Sequence, residues 1–388
     1  MRMKVFIVGG RGNIGQEVAM GLIRQEEIEK VVLGDMNANP AGLRNRLRKN
    51  GKISLVKVDA TDRKSLVGML KDADISVNCA GPFQTTALAT AKAAVEAEVD
   101  YIDVCDDYEA VDILFNSDID TAAKEAGVTV LTGMGSDPGT NNIIAARYAR
   151  RLDRVDEIAL FWAVSIAELA GAAWEHSLSM TTGAIPQFLD GKLEYVEGGS
   201  GEETVRFPEP LGACTVRYVG HPQPLTMPRS IDGLRNVVVK GALLPAWVDR
   251  IIREQKEAGL LSKIPMDIKG MKVAPYDLAL RLWDTIPDSR DRGPSSSGLK
   301  VIVKGEREGK RVTFTADMVG GMGPGTGLPA SIAVRMLGAG EINVKGLVTP
   351  EGCVDPEKFL AALLQSGARI YQTETVESML EAEPAPAP

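Results

Sequence analysis

Three glycines, Gly10, Gly12 and Gly15, stand in Gly-x-Gly-x-x-Gly spacing within the stretch VFIVGGRGNIGQEVAMGL. A strand-like apolar run precedes them and a helical pattern follows, so backbone N–H groups and a helix N-terminus can meet a pyrophosphate there. The same spacing also makes an ordinary tight turn. Twenty positions past Gly15, Asp35 closes the run VVLGD, where a carboxylate can accept hydrogen bonds from adenosine ribose hydroxyls. Gly10, Arg11, Gly12, Asn13, Ile14 and Asp35 are thus the first candidates for holding a dinucleotide. A carboxylate at position 35 repels a 2′-phosphate and favours NAD. Arg11, with Arg44 and Arg46 near it in sequence, argues for NADP. The balance reads as NAD, with NADP open.

These residues need a parallel sheet to carry them. In the first third of the chain, β-rich runs (MKVFIVG, KVVLGD, ISLVKVD, DISVNCA, VDYIDVC, VTVLTGM) alternate with helical patterns. Near-continuous Val, Ile and Leu suit strands buried on both faces. Six strands in this rhythm predict an α/β fold, a Rossmann doubly wound parallel sheet in the order 3-2-1-4-5-6. Asp59, at the end of the third strand, either borders the adenine or is a bare loop acid. Ala80, Gly81 and Pro82 end the fourth strand at the topological switch, where small residues admit a nicotinamide ribose or form a plain turn.

Beyond residue 150 the alternation weakens. Strand-like VDEIALFWAVSI, ACTVRYVG and NVVVKGAL predict a second, α+β domain, and residues 245–285 read as a helical segment. LKVIVKGEREGKRVTFTADMV reads as a long antiparallel hairpin, and GLPASIAVRMLGAG as a helix ending at glycine. Residues 381–388, EAEPAPAP, read as a disordered tail.

The chain has 388 residues, 44% hydrophobic and 25% charged, which is enough for two domains with cores of their own. A net charge of −8 without basic runs disfavours nucleic acid and anionic membranes as partners. No apolar stretch reaches bilayer length and no leader pattern opens the chain, so the expectation is a cytoplasmic protein. Cys79, Cys105, Cys214 and Cys353 are widely spaced and, with only His176 and His221, give no zinc-finger spacing; they read as reduced core thiols, and no metal is expected.

GMGSDPGTNN, after the sixth strand, is either a ligand loop or a plain helix cap. Pro138 suits a first helical turn, Ser136 or Asp137 can cap it, and the freed N–H groups can face an anion. With the glycine loop, NCAGPF, YIDVCDDYEA and GMGSDPGTNN in view, the chain resembles the saccharopine dehydrogenase-like family, which includes saccharopine reductases, lysine 6-dehydrogenases and carboxynorspermidine dehydrogenases. GHPQPLTMPRSI and GTGLPASIAVRMLGAGEINVKGLVTPEG look like the same family, so the likeness runs over most of the chain. It implies a dinucleotide domain over 1–138, rejoined by 345–380, and a domain over 139–344 for substrate binding and dimerisation, hence a homodimer.

The resemblance further implies NAD(P)-dependent hydride transfer at a carbon bearing an amine, on an amino-acid-like, opine or polyamine-precursor substrate. Asp137, Asn141 and Asn142 would then bond the amino-acid part. The proton on nitrogen needs a base, for which the candidates are Asp103, Asp106 and His176, with Asp103 expected nearest the nicotinamide. His221 and Arg229 either orient a carboxylate or are structural. A short-chain dehydrogenase is excluded because none of the seven tyrosines has a lysine four positions on. The remaining alternative is a non-catalytic NAD(P)-binding sensor or scaffold, which predicts no substrate-sized polar cleft.

Overall fold

A computed structural model describes residues 2–169, 172–283, 285 and 290–377. Six strands follow the first-third alternation: β1 (Met3–Val8), β2 (Ile28–Asp35), β3 (Ile53–Lys57), β4 (Ile75–Asn78), β5 (Asp100–Asp103) and β6 (Thr129–Leu131). They pair in parallel in the expected 3-2-1-4-5-6 order. Val5, Phe6, Ile7 and Val8 of β1 are all buried, as a strand covered on both faces requires. A seventh parallel strand, Gly346–Val348, adds to β6 from late in the chain. The register aligns Val8 with Gly34 and Asn78, and Asn78 with Asp103, so the carboxyl ends of β1, β2, β4 and β5 form one edge.

The second sheet is built around β7 (Arg154–Ser165). Strand Asn236–Leu244 lies parallel to it, and Ser297–Arg307 lies antiparallel on the other side. The latter forms the expected long hairpin with Lys310–Gly320 across a turn at Glu308 and Gly309. Residues 346–348 join the first sheet, but Tyr371–Glu377 pairs with Lys310–Gly320. The expected return of 345–380 to the first domain is therefore divided between the two sheets.

Residues 245–285 are not continuously helical. Helices Ala246–Glu257 and Pro275–Trp283 flank a two-stranded hairpin, Met266–Ile268 with Met271–Val273. Lys269 and Gly270 both have positive φ (52° and 85°), the signature of a two-residue hairpin turn that carries the chain back on itself. The segment NPAGLRNRLRKNG forms a single helical turn, Asn45–Arg48, because Pro40 and Gly42 open it as a 3₁₀ turn. The tail 381–388 lies outside the described residues.

Small residues bring the two halves together. Helix α1 (Asn13–Leu22) packs along helix Met322–Gly338, with Gly327 against the backbone of Glu17 and Val18. A methyl group at Gly327 would stand 2.8 Å from the backbone N of Val18, so this approach requires glycine. The same helix is tied to the loop after β6 by Ser136 Oγ and Thr326 Oγ1, 3.2 Å apart.

Candidate active site

The glycine loop turns at Gly9, whose φ of +73° only glycine adopts without strain, and closes with Gly12 N–H donating to the Gly9 carbonyl at 3.0 Å. A side chain at Gly9 would meet the Ala80 N at 2.7 Å, so the ends of β1 and β4 touch. Helix α1 then starts with neither a side-chain cap nor an acid in its first turn. Its leading N–H groups are thus available to an anion. Asp35 is oriented from both sides, accepting from Arg11 N at 3.2 Å and Asn37 N at 3.0 Å. The Arg11 side chain donates to the Asn39 carbonyl at 3.1 Å, while Arg44 is held by Glu17 at 2.6 Å and Asn13 at 2.8 Å. Asp59 is exposed and closes a turn on Thr61 at 2.7 and 2.8 Å. This edge fits a dinucleotide: Gly10, Arg11, Gly12, Asn13 and Ile14 would hold the phosphates, Asp35 the ribose, and Ala80, Gly81 and Pro82 the floor of the switch point.

Asp103 ends β5 fully buried. Its Oδ1 accepts from Gly133 N at 2.7 Å, Cys105 N at 3.0 Å and Thr132 Oγ1 at 3.0 Å. That makes it a clamp joining the exits of β5 and β6. Burial raises its carboxyl above the ordinary range, with those donors opposing.

Three residues further on, Asp106 and Asp107 meet a histidine from the later half of the chain. His176, on helix Ala172–Ser179, lies between two carboxylates: its Nε2 is 3.4 Å from Asp106 Oδ1 and its Nδ1 3.6 Å from Asp107 Oδ2. Burial pulls the imidazole down, but the two carboxylates outweigh it and raise His176 above its ordinary value. Burial raises Asp106, and the His176 charge opposes that. Burial pushes Asp107 up, but the His176 imidazole 3.6 Å away and the bond from Ala110 N at 2.9 Å outweigh it, and Asp107 ends up lowered. Gln84 also donates to Asp107 Oδ2.

A second polar group comes from the loop after β6 and the turn at 221–223. Gln223 Nε2 donates to Asp137 Oδ1, and Gln223 Oε1 lies 3.2 Å from His221 Nδ1. Burial pushes Asp137 up to about 7, with Asp106 adding to the shift. Burial and the neighbouring His176 hold His221 down at about 3. The two imidazole rings are 6.4 Å apart, so both histidines of the chain serve one place. Asp137 Oδ2, His176 Nε2 and both side-chain polar atoms of Asn141 are buried without a hydrogen-bond partner, as groups awaiting a polar ligand would be. A cavity of about 340 Å³ opens beside them, lined by Asp107, Glu109, His176, Gly220 and Lys263 among others.

Some expected residues serve structure instead. Asn142 accepts from Gly139 N at 3.3 Å and donates to Glu351 Oε2 at 2.8 Å, which occupies both ends of its amide. Arg229 stacks over Phe115 at 4.3 Å, donates to the Leu225 carbonyl and is exposed, so it lies off the cluster. Helix Thr140–Ala149 starts after Pro138, because residues 135–139 close on themselves with Gly135 N donating to the Pro138 carbonyl and Gly139 at φ +123°. Asp137 is thereby freed from capping. Gln84, Asp107 and Gln223 escaped the sequence reading; the only signal was the doubled acid in CDD, and glutamine carries none.

Residues 5–131 match the model of the saccharopine dehydrogenase NADP binding domain. The amino-terminal domain belongs to that family. Carboxyaminopropylagmatine dehydrogenase of Synechocystis is 24% identical over 94% of this chain and 96% of its own length. Carboxynorspermidine synthase of Vibrio alginolyticus is 24% identical over 81% and 82%. In fold, the chain is similar to apo saccharopine dehydrogenase (L-Glu forming) from Saccharomyces cerevisiae, with a TM-score of 0.72 at 16% identity over 97% of this chain and 100% of that one. With this dinucleotide domain, the chain is an NAD(P)-dependent oxidoreductase.

Proposed function

We propose that the protein transfers hydride between a nicotinamide dinucleotide and a carbon bearing an amine, in a small amino-acid-like or polyamine-precursor substrate. The observation that carries this reading is His176 set between Asp106 and Asp107 at the carboxyl edge of the dinucleotide sheet, with His221 and, 3.9 Å from it, Asp137 behind. When bound, a nicotinamide ring supplies a carbon that accepts or returns hydride. An ammonium cannot release hydride from its neighbouring carbon until it loses a proton. His176, kept basic by two carboxylates, takes that proton, and Asp137 and Asn141 orient the substrate. Departure of hydride leaves an iminium, which water converts to a carbonyl and a free amine; the reverse sequence makes the amine.

Asp103 acts as a positioning residue in this scheme, since its bonds fix the exits from β5 and β6. Asp35 favours NAD over NADP, and Asp59 stands at the adenine end. The cavity of about 340 Å³ beside the cluster is sized for a small molecule, which supports an enzyme over a sensor. No described helix is long and apolar enough to cross a membrane. We place the protein in the cytoplasm, as a homodimer through its second domain.

The test is to incubate the protein with NAD or NADP and a panel of amino acids, opines and polyamine conjugates, following reduced cofactor by absorbance. Amine-dependent reduction is expected. Tight NAD(P) binding with no turnover on any amine would favour the sensor instead.

A further inference from the structure

The Asp137–Gln223–His221 chain fixes more than position. Above the Asp137 value of about 7 its carboxylate can only accept hydrogen bonds, so the amide NH₂ of Gln223 must face it. The other end of the amide, Oε1, then faces His221 Nδ1 at 3.2 Å and can only accept. The proton of that bond must therefore sit on Nδ1. In a neutral imidazole this leaves Nε2 with a lone pair, and burial beside His176 disfavours the imidazolium, which would carry protons on both nitrogens.

No described residue donates to His221 Nε2: Trp162 is tilted against the ring at 6.1 Å, and its indole Nε1 makes no hydrogen bond. The charges around the ring have the same bias. Asp106, Asp107 and Asp137 surround the histidine pair, and Glu109 joins Asp107 in lining the cavity. Against them stand His176 and Lys263, whose ammonium sits over the Tyr276 ring at 5.0 Å.

We infer that His221 presents an obligate hydrogen-bond acceptor, Nε2, to an N–H group of the ligand, so that the polar cluster behind His176 selects an ammonium or secondary amine and rejects a carboxylate. Gln223 is the positioning residue that enforces the tautomer. This differs from both sequence expectations for His221, a group that orients a carboxylate or a structural histidine. It rests on the proposed amine chemistry only for the identity of the ligand, since the tautomer follows from the hydrogen-bond chain.

With two histidines in the chain, the test is direct. Protein labelled with ¹⁵N-histidine is examined by long-range ¹H–¹⁵N correlation at pH 8, with His176→Asn used to assign the signals. His221 is expected to show a protonated Nδ1 and a lone-pair Nε2. Titration with 1,4-diaminobutane should move the Nε2 resonance, whereas glutarate should leave it in place. Gln223→Leu should release the tautomer to a mixture. A protonated Nε2, or a response to glutarate and none to the diamine, would overturn the inference. A lone-pair Nε2 that responds to the diamine in a protein that oxidises no amine would instead leave the inference standing and sink the enzymatic reading.

Discussion

Nε2 of His176 lies 3.4 Å from Oδ1 of Asp106, and the opposite nitrogen of the same ring lies 3.6 Å from Asp107. A base caught between two carboxylates holds its proton to a higher pH than a free imidazole. In the amine-oxidising direction, kcat/KM should therefore rise with pH along a limb set by a group titrating above 6.5. Removing one carboxylate with Asp106→Asn should move that limb to lower pH. His176→Asn should remove the limb and lower kcat by about 10²–10⁴-fold, the usual contribution of a general base. An unmoved limb in Asp106→Asn would mean that another group takes the proton.

Asp137 and His221 are both buried next to Gln223, yet their effects on stability run in opposite directions. The folded-state value of Asp137 is raised from 3.8 to about 7, so its contribution is fully present below pH 3.8 and is lost as pH rises through about 7. His221 is depressed from 6.5 to about 3, so its neutral form favours folding above 6.5 and that support fades as pH falls towards 3. The two slopes oppose each other between about pH 4 and 6.5, which flattens the wild-type profile there. Asp137→Asn removes one of them. Relative to wild type, its stability should increase with pH from 4 to 8, by at most about 4 kcal/mol, because each pH unit between the unfolded and folded values of the carboxyl is worth about 1.4 kcal/mol. Denaturant melts across that range check it; a constant difference would show that Asp137 is not held protonated.

Asp35 decides between the two dinucleotides through charge, and its neighbours decide whether it can be replaced. Both oxygens are engaged by loop N–H groups, from Arg11 and Asn37, so a shorter polar residue keeps more of the loop than an arginine would. Asp35→Ser should raise the ratio of kcat/KM with NADP to that with NAD by at least about tenfold, equivalent to about 1.4 kcal/mol. Asp35→Arg should shift preference the same way while lowering overall affinity. An unchanged ratio in both variants would remove Asp35 from the adenosine end.

The first sheet was legible because buried parallel strands write themselves as continuous Val, Ile and Leu, and because Gly10 and Gly15 follow from backbone contacts that no other residue permits. His176 and Asp106 were legible as chemistry but not as neighbours: 70 residues separate them, and only the docking of helix Ala172–Ser179 over the end of β5 brings them together. Asp103 was legible as a strand-end acid but not as a clamp: its Oδ1 ties the exits of β5 and β6 together, while its Oδ2 stays buried without a partner. Gln223 was invisible, since a glutamine reveals itself only through the partners at its two ends. The hairpin inside 245–285 was hidden by apolar residues whose spacing suits either element, and only the Lys269–Gly270 turn settles it.

The glycine cradle separates binding from folding in two positions three residues apart. A methyl group on Gly12 would lie 3.2 Å from the Gly9 carbonyl oxygen and meet nothing else, so the loop needs to give only a few tenths of an ångström. A methyl group on Gly15 would be driven into that same oxygen and, at 2.7 Å, into the Cα of Gly10, both of them backbone. Gly12→Ala should thus fold with a melting temperature near wild type but bind NADH at least about tenfold more weakly, a loss of about 1.4 kcal/mol, because the added methyl stands where backbone must approach the phosphates. Gly15→Ala should lose stability as well, by about 1–3 kcal/mol, the usual range for overpacking a tight contact. Fluorescence titration with NADH alongside thermal melts distinguishes the two variants. Wild-type affinity in Gly12→Ala would mean that the phosphates do not reach this loop.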